Sequence, residues 1–321
     1  MTAIDPVETS VAFCVYNRPS HTEKVLAALA TVKPRHLMII ADGPRQDRAD
    51  DPVKCSAVID LIKSIDWPAD IEWNVSPTNL GLRSRLQSGL SWAFNRVEEV
   101  IVVEDDCVPH PSFFRFCTEL LDRYRNDPRI AVICGSNFQL DADCGPASYF
   151  FSRYPLIWGW AGWRRTWQQY DPDLNQWPNL RETPWLSDYL GNPLASAYWR
   201  AIFDAVHAGL DTWDFQLIFS CWRANALAIQ PAQNLVTNIG FGAESTFTRA
   251  EDSILAGLPT RQMRFPLVHQ KSVERAKDCD DRTERLAFSA SPREQLQRFR
   301  MARAAAAIKK TWTTDAEPDR G

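Results

Sequence analysis

No stretch of this chain approaches the roughly 18 uncharged apolar residues that a membrane-spanning helix needs. The start, Met1-Thr2-Ala3-Ile4-Asp5-Pro6, has no cationic region leading into an apolar core. A cytoplasmic protein is expected, with at most peripheral contact at the inner membrane face. There is no Cys-x-x-Cys pair, and eight cysteines in 321 residues are too sparse for a disulfide scaffold. Several of them (Cys14, Cys117, Cys134) lie in apolar patterns, so buried free thiols are expected and structural zinc is not. Basic charge is not in excess either: 36 Lys and Arg against 40 Asp and Glu give 36 − 40 = −4. A general nucleic-acid binder is thereby disfavoured, and any polyanion must be bound locally. No internal repeat is visible. What the chain does have is 45% hydrophobic residues, ample for one large α/β domain or two small ones, and 13 tryptophans that crowd the stretch from Trp158 to Trp222.

Short apolar runs at Val11 to Val15, Leu37 to Ile40, Ile71 to Val75, Val100 to Val103 and Ile130 to Cys134 read as strands. Segments of helical periodicity separate them, which is the β-α-β-α pattern of a largely parallel sheet. The first helix carries the capping-box pattern Ser20-x-x-Glu23 and sets Val25, Leu26 and Leu29 on one face. A second face is formed by Val58, Leu61, Ile62 and Ile65, and a later one by Phe113, Phe116, Cys117, Leu120, Leu121 and Tyr124. Beyond about residue 140 the alternation fades. Loops and helices packed on the sheet are expected there, with helices around Leu194 to His207 and Asp214 to Arg223. A basic stretch (Arg298, Arg300, Arg303, Lys309, Lys310) precedes a polar tail; it reads first as a solvated helix face, with weak attachment to an anionic membrane as the sharper alternative.

Polar residues follow directly on the strands. Asn17-Arg18-Pro19, Asp42-Gly43-Pro44 and Glu104-Asp105-Asp106 should therefore converge, because ligands of open α/β sheets bind outside the carboxyl ends of the strands. Three adjacent carboxylates at a strand end can hold a hard divalent cation and, through it, a diphosphate. Asp42 can accept hydrogen bonds from a base or ribose, although Asp-Gly-Pro is equally a plain turn. Asn79-Leu80-Gly81-Leu82-Arg83-Ser84-Arg85 reads as a helix start. Positions two apart on a helix face away from each other, so one of Arg83 and Arg85 is expected to reach phosphate oxygens, and Arg85 is preferred. Trp158-Gly159-Trp160 is either core or a sugar platform, with Gly159 and Gly162 allowing a mobile lid.

Assembled in order, these residues resemble GT-A-fold glycosyltransferases. They look like bacterial relatives of the N-acetylglucosaminyltransferase I group and of family 2-like nucleotide-diphospho-sugar transferases. The resemblance runs from about Val11 to Thr248, through Asn17-Arg18, Asp42-Gly43, Asn79-Leu80-Gly81, Glu104-Asp105-Asp106, the Gly159-Trp160 loop, Trp213-Asp214 and Asn238-Ile239-Gly240. It implies a mixed, mainly parallel sheet flanked by helices in a single catalytic domain over 1–270. The donor half would lie at about 10–140 and the acceptor half at about 141–270, with a C-terminal extension and tail over 271–321. It implies a nucleotide-diphosphate sugar donor, a UDP-sugar foremost, and a glycan or lipid-linked acceptor. It implies Mn2+ or Mg2+ held by Asp106, donor contacts from Asn17, Arg18, Asp42, Arg85, Glu104 and Asp105, and Asp214 as the base of an inverting transfer. Where relatives carry a His after Asn-Ile-Gly, this chain has Phe247; His269 is a candidate further metal ligand. A sugar-1-phosphate nucleotidyltransferase is an alternative, although Asn17-Arg18-Pro19-Ser20-His21 is not its Gly-rich loop. A glycan-binding or scaffold protein with an inactive transferase site is another.

Overall fold

The computed structural model describes residues 7–241 and 254–288. The first half alternates strand and helix: β1 (Val11–Val15), α1 (Pro19–Ala30), β2 (His36–Ala41), α2 (Asp51–Lys63), β3 (Asp70–Val75), α3 (Leu82–Phe94) and β4 (Glu99–Glu104). A short β5 (Cys107–Pro109), α4 (Ser112–Tyr124) and β6 (Ile130–Cys134) follow. The second half holds β7 (Tyr149–Ser152), β8 (Trp160–Trp163), α5 (Arg164–Trp167), α6 (Trp177–Arg181), α7 (Trp185–Leu190), α8 (Pro193–His207) and α9 (Asp214–Arg223). It continues with β9 (Leu227–Pro231), β10 (Val236–Asn238), α10 (Lys277–Thr283) and a π-helical turn over Glu284–Phe288.

Eight strands form one sheet in the order β3-β2-β1-β4-β8-β6-β9-β7, and β5 pairs with β10 separately. The pairs β3–β2, β2–β1, β1–β4 and β6–β9 are parallel, while β8 and β7 run antiparallel to their neighbours. This is the expected α/β class, a mixed and mainly parallel sheet flanked by helices. Successive residues of the central strands face opposite layers because a strand has period two. Val11, Phe13 and Val15 of β1 join Ile101 and Val103 of β4 in one core, with Val25 and Leu29 of α1 and the phenylalanines of α4. Ala12 and Cys14 join Val100 and Val102 in the other, with Leu86 and Leu90 of α3.

Two expectations are corrected. Ser20 does not cap α1: Pro19 opens the helix, Arg18 is its N-cap, and no side chain caps it. Proline suits that first position because its missing N–H is one the helix leaves unbonded anyway. The second half is also not merely loops and helices, since it contributes β7, β8 and β9 to the sheet. Strand β8, Trp-Ala-Gly-Trp, has two strand-favouring tryptophans but no β-branched residue and no alternation, and it is only four residues long, so its strand signal is weak. It lies between β4 and β6, with Gly162 opposite Val100 and Val132. A side chain at Gly162 would meet the Trp160 ring at 3.0 Å, so glycine makes room for that indole.

The tryptophan-rich middle builds a third core. Trp177, Trp199 and Trp222 are buried with Tyr154, Phe203 and Phe219, and the Trp199 and Trp222 rings lie 4.7 Å apart, edge to face. No described helix is long and apolar enough to cross a membrane. The basic stretch from Arg298 to Lys310 lies outside the described residues, as does Phe247.

Candidate active site

Strands β1, β2 and β3 run outward on one side of the sheet, and β4 begins again on the other side of β1. Chain connections diverge at such a reversal and leave a crevice at the carboxyl ends of the two strands. Arg18 follows β1, and Glu104-Asp105-Asp106 ends β4, so both lie at this point. They are in direct contact. Arg18 Nε donates to Asp105 Oδ2 at 3.3 Å, Nη1 donates to Asp106 Oδ2 at 3.1 Å, and Nη2 donates to Asp105 Oδ1. The Arg18 backbone is fixed in turn, because its carbonyl accepts the N–H groups of His21 and Thr22 in the first turn of α1.

Charge is unbalanced here. Three carboxylates face one guanidinium, and Asp105 is only 2% exposed. Burial opposes the Arg18 charge, but Asp105 and Asp106 outweigh it and hold its pKa above the ordinary value. Glu104 is pushed well above the usual carboxylate range by burial first, then by the Asp106 and Asp105 charges; Asp214 adds to the push. Glu104 Oε1 is buried with no hydrogen-bond partner among the described residues. Asp214, the first residue of α9, thus lies within electrostatic reach of the triplet despite being 110 positions away from Glu104 in sequence (214 − 104). Burial raises the Asp214 pKa, and the Thr212 hydroxyl, which donates to its Oδ1, pulls it back.

The β5–β10 pair closes one side. Asn238 stands opposite Cys107, Ile239 N donates to the Asp106 carbonyl at 2.8 Å, and Gly240 N donates to Asn238 Oδ1 at 2.7 Å. A Cβ on Gly240 would sit 2.2 Å from Asp106 Oδ2 and 2.9 Å from its Cβ, so the backbone passes directly against the acidic side chain. His21 Nε2 lies 3.2 Å from the Ile239 carbonyl and ties α1 to this wall.

Asn17 and Asp42 follow neighbouring strands, Arg85 lies in the first turn of α3, and each is held by hydrogen bonds. Asn17 donates to Asp51 Oδ1 at 2.7 Å. Asp42 accepts from Gly43 N and Leu80 N at 2.9 Å and from Asn79 Nδ2 at 2.8 Å, and burial raises its pKa. Arg85 is 5% exposed and donates to the Asn74 carbonyl at 2.9 Å and to its side-chain oxygen; it is in electrostatic reach of Asp42 and Cys14. Arg83 reaches the other way, to Asp173 and the Pro172 carbonyl. The two arginines do face apart, and the triplet is paired with neither of them but with Arg18. His269 lies within 3.1 Å of the Tyr149 hydroxyl and 3.5 Å of Glu119, not beside the triplet.

A cluster that the sequence did not signal adjoins Asn17. Buried Asp51 accepts from the Tyr16 hydroxyl at 2.6 Å and from Arg45 Nε at 2.7 Å, and the Arg45 guanidinium lies 5.5 Å from the Tyr16 ring centroid. The lid reading of the Trp158 loop is also corrected: Trp160 and Gly162 are interior strand residues. Trp158 itself is half-buried and packs edge-on to Phe241, next to Gly240.

No group of three His, Cys, Asp or Glu among the described residues is arranged to hold a metal. The donor set nevertheless fits a hard cation in kind, since it is all carboxylate oxygen, carries excess negative charge and includes the orphaned Glu104 Oε1. Mg2+ and similar ions are commonly held by one or two carboxylates plus substrate phosphates, with water completing the shell, so an all-protein cage is not required.

No protein-family model matches the chain, and no curated protein matches it. Among solved structures, the 4-diphosphocytidyl-2C-methyl-D-erythritol synthase of Anaerococcus prevotii is similar over 50% of this chain and 75% of its own, at 11% identity and a TM-score of 0.31. The glucosyl-3-phosphoglycerate synthase of Mycobacterium tuberculosis, solved with Mn2+, UDP-glucose and glycerol 3-phosphate, is similar over 49% of this chain and 58% of its own, at 15% identity and a TM-score of 0.28.

Proposed function

We propose that this chain is a metal-assisted, inverting glycosyltransferase. It moves a sugar from a nucleotide-diphosphate donor, a UDP-sugar foremost, to a hydroxyl of a glycan or lipid-linked acceptor. One observation supports the reading: a fixed Arg18 is paired with Asp105 and Asp106 at the point where the strand order reverses, with Asp214 within electrostatic reach of Glu104. In this reading Asn17, Asp42 and Arg85 shape the nucleotide end of the crevice, and Glu104 and Asp105 contact ribose or ordered water. Arg18 holds Asp105 and Asp106 in place. Asp106 would hold the cation, which when bound neutralises charge on the leaving diphosphate.

Asp214 takes the proton from the acceptor hydroxyl, and its raised pKa brings it closer to the working range of a general base. Thr212 fixes the orientation of that carboxylate. The acceptor oxygen then attacks the anomeric carbon on the face opposite the diphosphate, which inverts the configuration there.

The test is thermal unfolding of wild type and Asp106→Asn against UDP-, GDP-, dTDP- and CMP-sugars, each with and without Mn2+ or Mg2+. A ligand at about 100 times its dissociation constant stabilises by about 2.7 kcal/mol, enough to raise Tm by several degrees. The expected result is a cation-dependent rise for one nucleotide class, lost in Asp106→Asn. Stabilisation by free sugars without nucleotide or cation would replace the proposal with a glycan-binding role.

A further inference from the structure

Seven of the eight cysteines are buried thiols, and Cys144 is half-buried. Two of the eight stand together. Cys144 and Cys279 are 135 positions apart in sequence, yet their sulfurs lie 2.6 Å apart. That is about half an ångström beyond the roughly 2.05 Å of a disulfide bond. Other bonds already hold the two segments side by side. Gln139 Nε2 donates to the Cys279 carbonyl at 3.2 Å and to Thr283 Oγ1 at 2.8 Å, and Arg282 Nη1 donates to Gln139 Oε1 at 2.9 Å. Helix α10 is anchored to the sheet in turn, where Ser152 Oγ donates to Asp280 Oδ1 at 2.6 Å. The two sulfurs are therefore held within reach of each other by contacts on both sides.

The second observation concerns access. Cys144 lines an open cleft of about 420 Å³ together with Asn137, Asp141, Asn234 and Arg261. That volume lies in the range of small-molecule sites, and the rim carries both signs of charge. Core thiols such as Cys117 and Cys134 are fully buried and have no such opening. The contact between the two sulfurs and then burial raise the Cys144 pKa, while that same contact lowers the Cys279 pKa against its burial; the Arg282 guanidinium favours a thiolate at either sulfur.

The geometry points to a redox site: Cys144 and Cys279 form a dithiol that a low-molecular-weight disulfide entering this cleft oxidises to an intramolecular disulfide. Cys144 passes its proton to the adjoining Cys279 thiolate as its sulfur attacks one sulfur of the oxidant RS–SR; that S–S bond breaks, RS⁻ leaves, and a mixed disulfide forms on Cys144. Cys279 then gives up that proton and attacks the Cys144 sulfur, the Cys144–Cys279 bond forms, and the second RS⁻ leaves. Two electrons pass from the dithiol to the oxidant, and the two thiol protons pass to solvent or to the released thiolates. The new bond fastens the segment around Gln139 to α10 covalently, alongside the hydrogen bonds already there. The site is independent of the transferase reading.

The experiment incubates the folded chain with oxidised glutathione, then alkylates free thiols under denaturing conditions and maps the peptides by mass spectrometry. The expected result is two cysteines protected from alkylation, with the Cys144 and Cys279 peptides linked and released by dithiothreitol. In Cys279→Ser, checked for native circular dichroism, the second step is blocked and a single glutathione adduct should accumulate on Cys144. Full alkylation of all eight cysteines in treated wild type overturns the proposal. So does linkage of other cysteines, or a Cys279→Ser chain that takes up no adduct.

Discussion

At the scale of single residues, the crevice depends on close contacts that leave little latitude. Gly240 is the sharpest case, because any Cβ there would overlap Asp106 Oδ2 and crowd its Cβ. Gly240→Ala must displace the Asp106 side chain and with it one arm of the Arg18 pair, while most of the sheet is untouched. The expected outcome is a Tm within a few degrees of wild type together with at least a roughly tenfold loss of cation-dependent donor binding, read by titration calorimetry. Retained donor affinity would show that the Asp106 position seen here is not the one that binds. Asp214→Asn tests a different step. It keeps the side chain's shape and the Thr212 contact but cannot take a proton, so kcat should fall by about 10² to 10⁴ while the donor-induced Tm shift persists. A loss of donor binding with unchanged kcat would move Asp214 from base to donor contact.

At the scale of elements, the boundaries follow local chemistry wherever that chemistry is one-dimensional. Helix α8 opens at Asn192, whose side-chain oxygen accepts from Leu194 N at 2.9 Å and Ala195 N at 3.2 Å, with Pro193 in the first helical position. Asn192→Ala should cost about 1 kcal/mol in urea unfolding, with an unchanged m-value; a cost near zero would mean that Pro193 alone sets this helix start. The strands β1 and β6 span the apolar runs Val11 to Val15 and Ile130 to Cys134 because buried parallel strands read as continuous hydrophobic segments. Helix α9 likewise spans Asp214 to Arg223. Strand β8 was barely legible, since its identity comes more from the two strands that flank it than from its own residues. The same division holds within the crevice. Arg18 and the triplet were legible because each sits at a strand end, whereas the partnership between them is a property of the β1–β4 adjacency. The Tyr16–Asp51 contact was illegible because it joins α2 to the end of β1 across 35 positions.

At the scale of the whole molecule, the third core and the C-terminal segment are joined to the sheet through buried charge. Asp280 of α10 is fully buried, accepts from Ser152 Oγ and from Arg153 N, and faces the guanidinium groups of Arg275 at 3.4 Å and Arg153 at 3.9 Å. A little further along the chain, Glu284 accepts from the hydroxyl of Tyr154 and from Trp199 Nε1 at 3.3 Å, which ties this segment to the tryptophan core. Burial pushes the Asp280 pKa up to about 6 from an ordinary 3.8, and the Ser152 hydrogen bond and Arg153 only partly offset it. The folded chain therefore binds a proton at Asp280 more tightly than the unfolded chain does. Its contribution to stability is fully present below about pH 4 and is lost as pH rises through about 6. The difference between the folded and unfolded affinities for that proton corresponds to about 3 kcal/mol across the window. Asp280→Asn removes the titration while keeping a side chain of the same size. Neutralising the partner of Arg153 and Arg275 changes the variant's stability at every pH, so the readout is the slope and not the offset. Urea unfolding free energies measured from about pH 4 to 7 should fall more steeply for wild type than for Asp280→Asn, with the difference between the curves changing by roughly 2 to 3 kcal/mol. Parallel curves would mean that Arg153 and Arg275 hold Asp280 ionised throughout, and that the tie between α10 and the sheet is an ion pair at every pH.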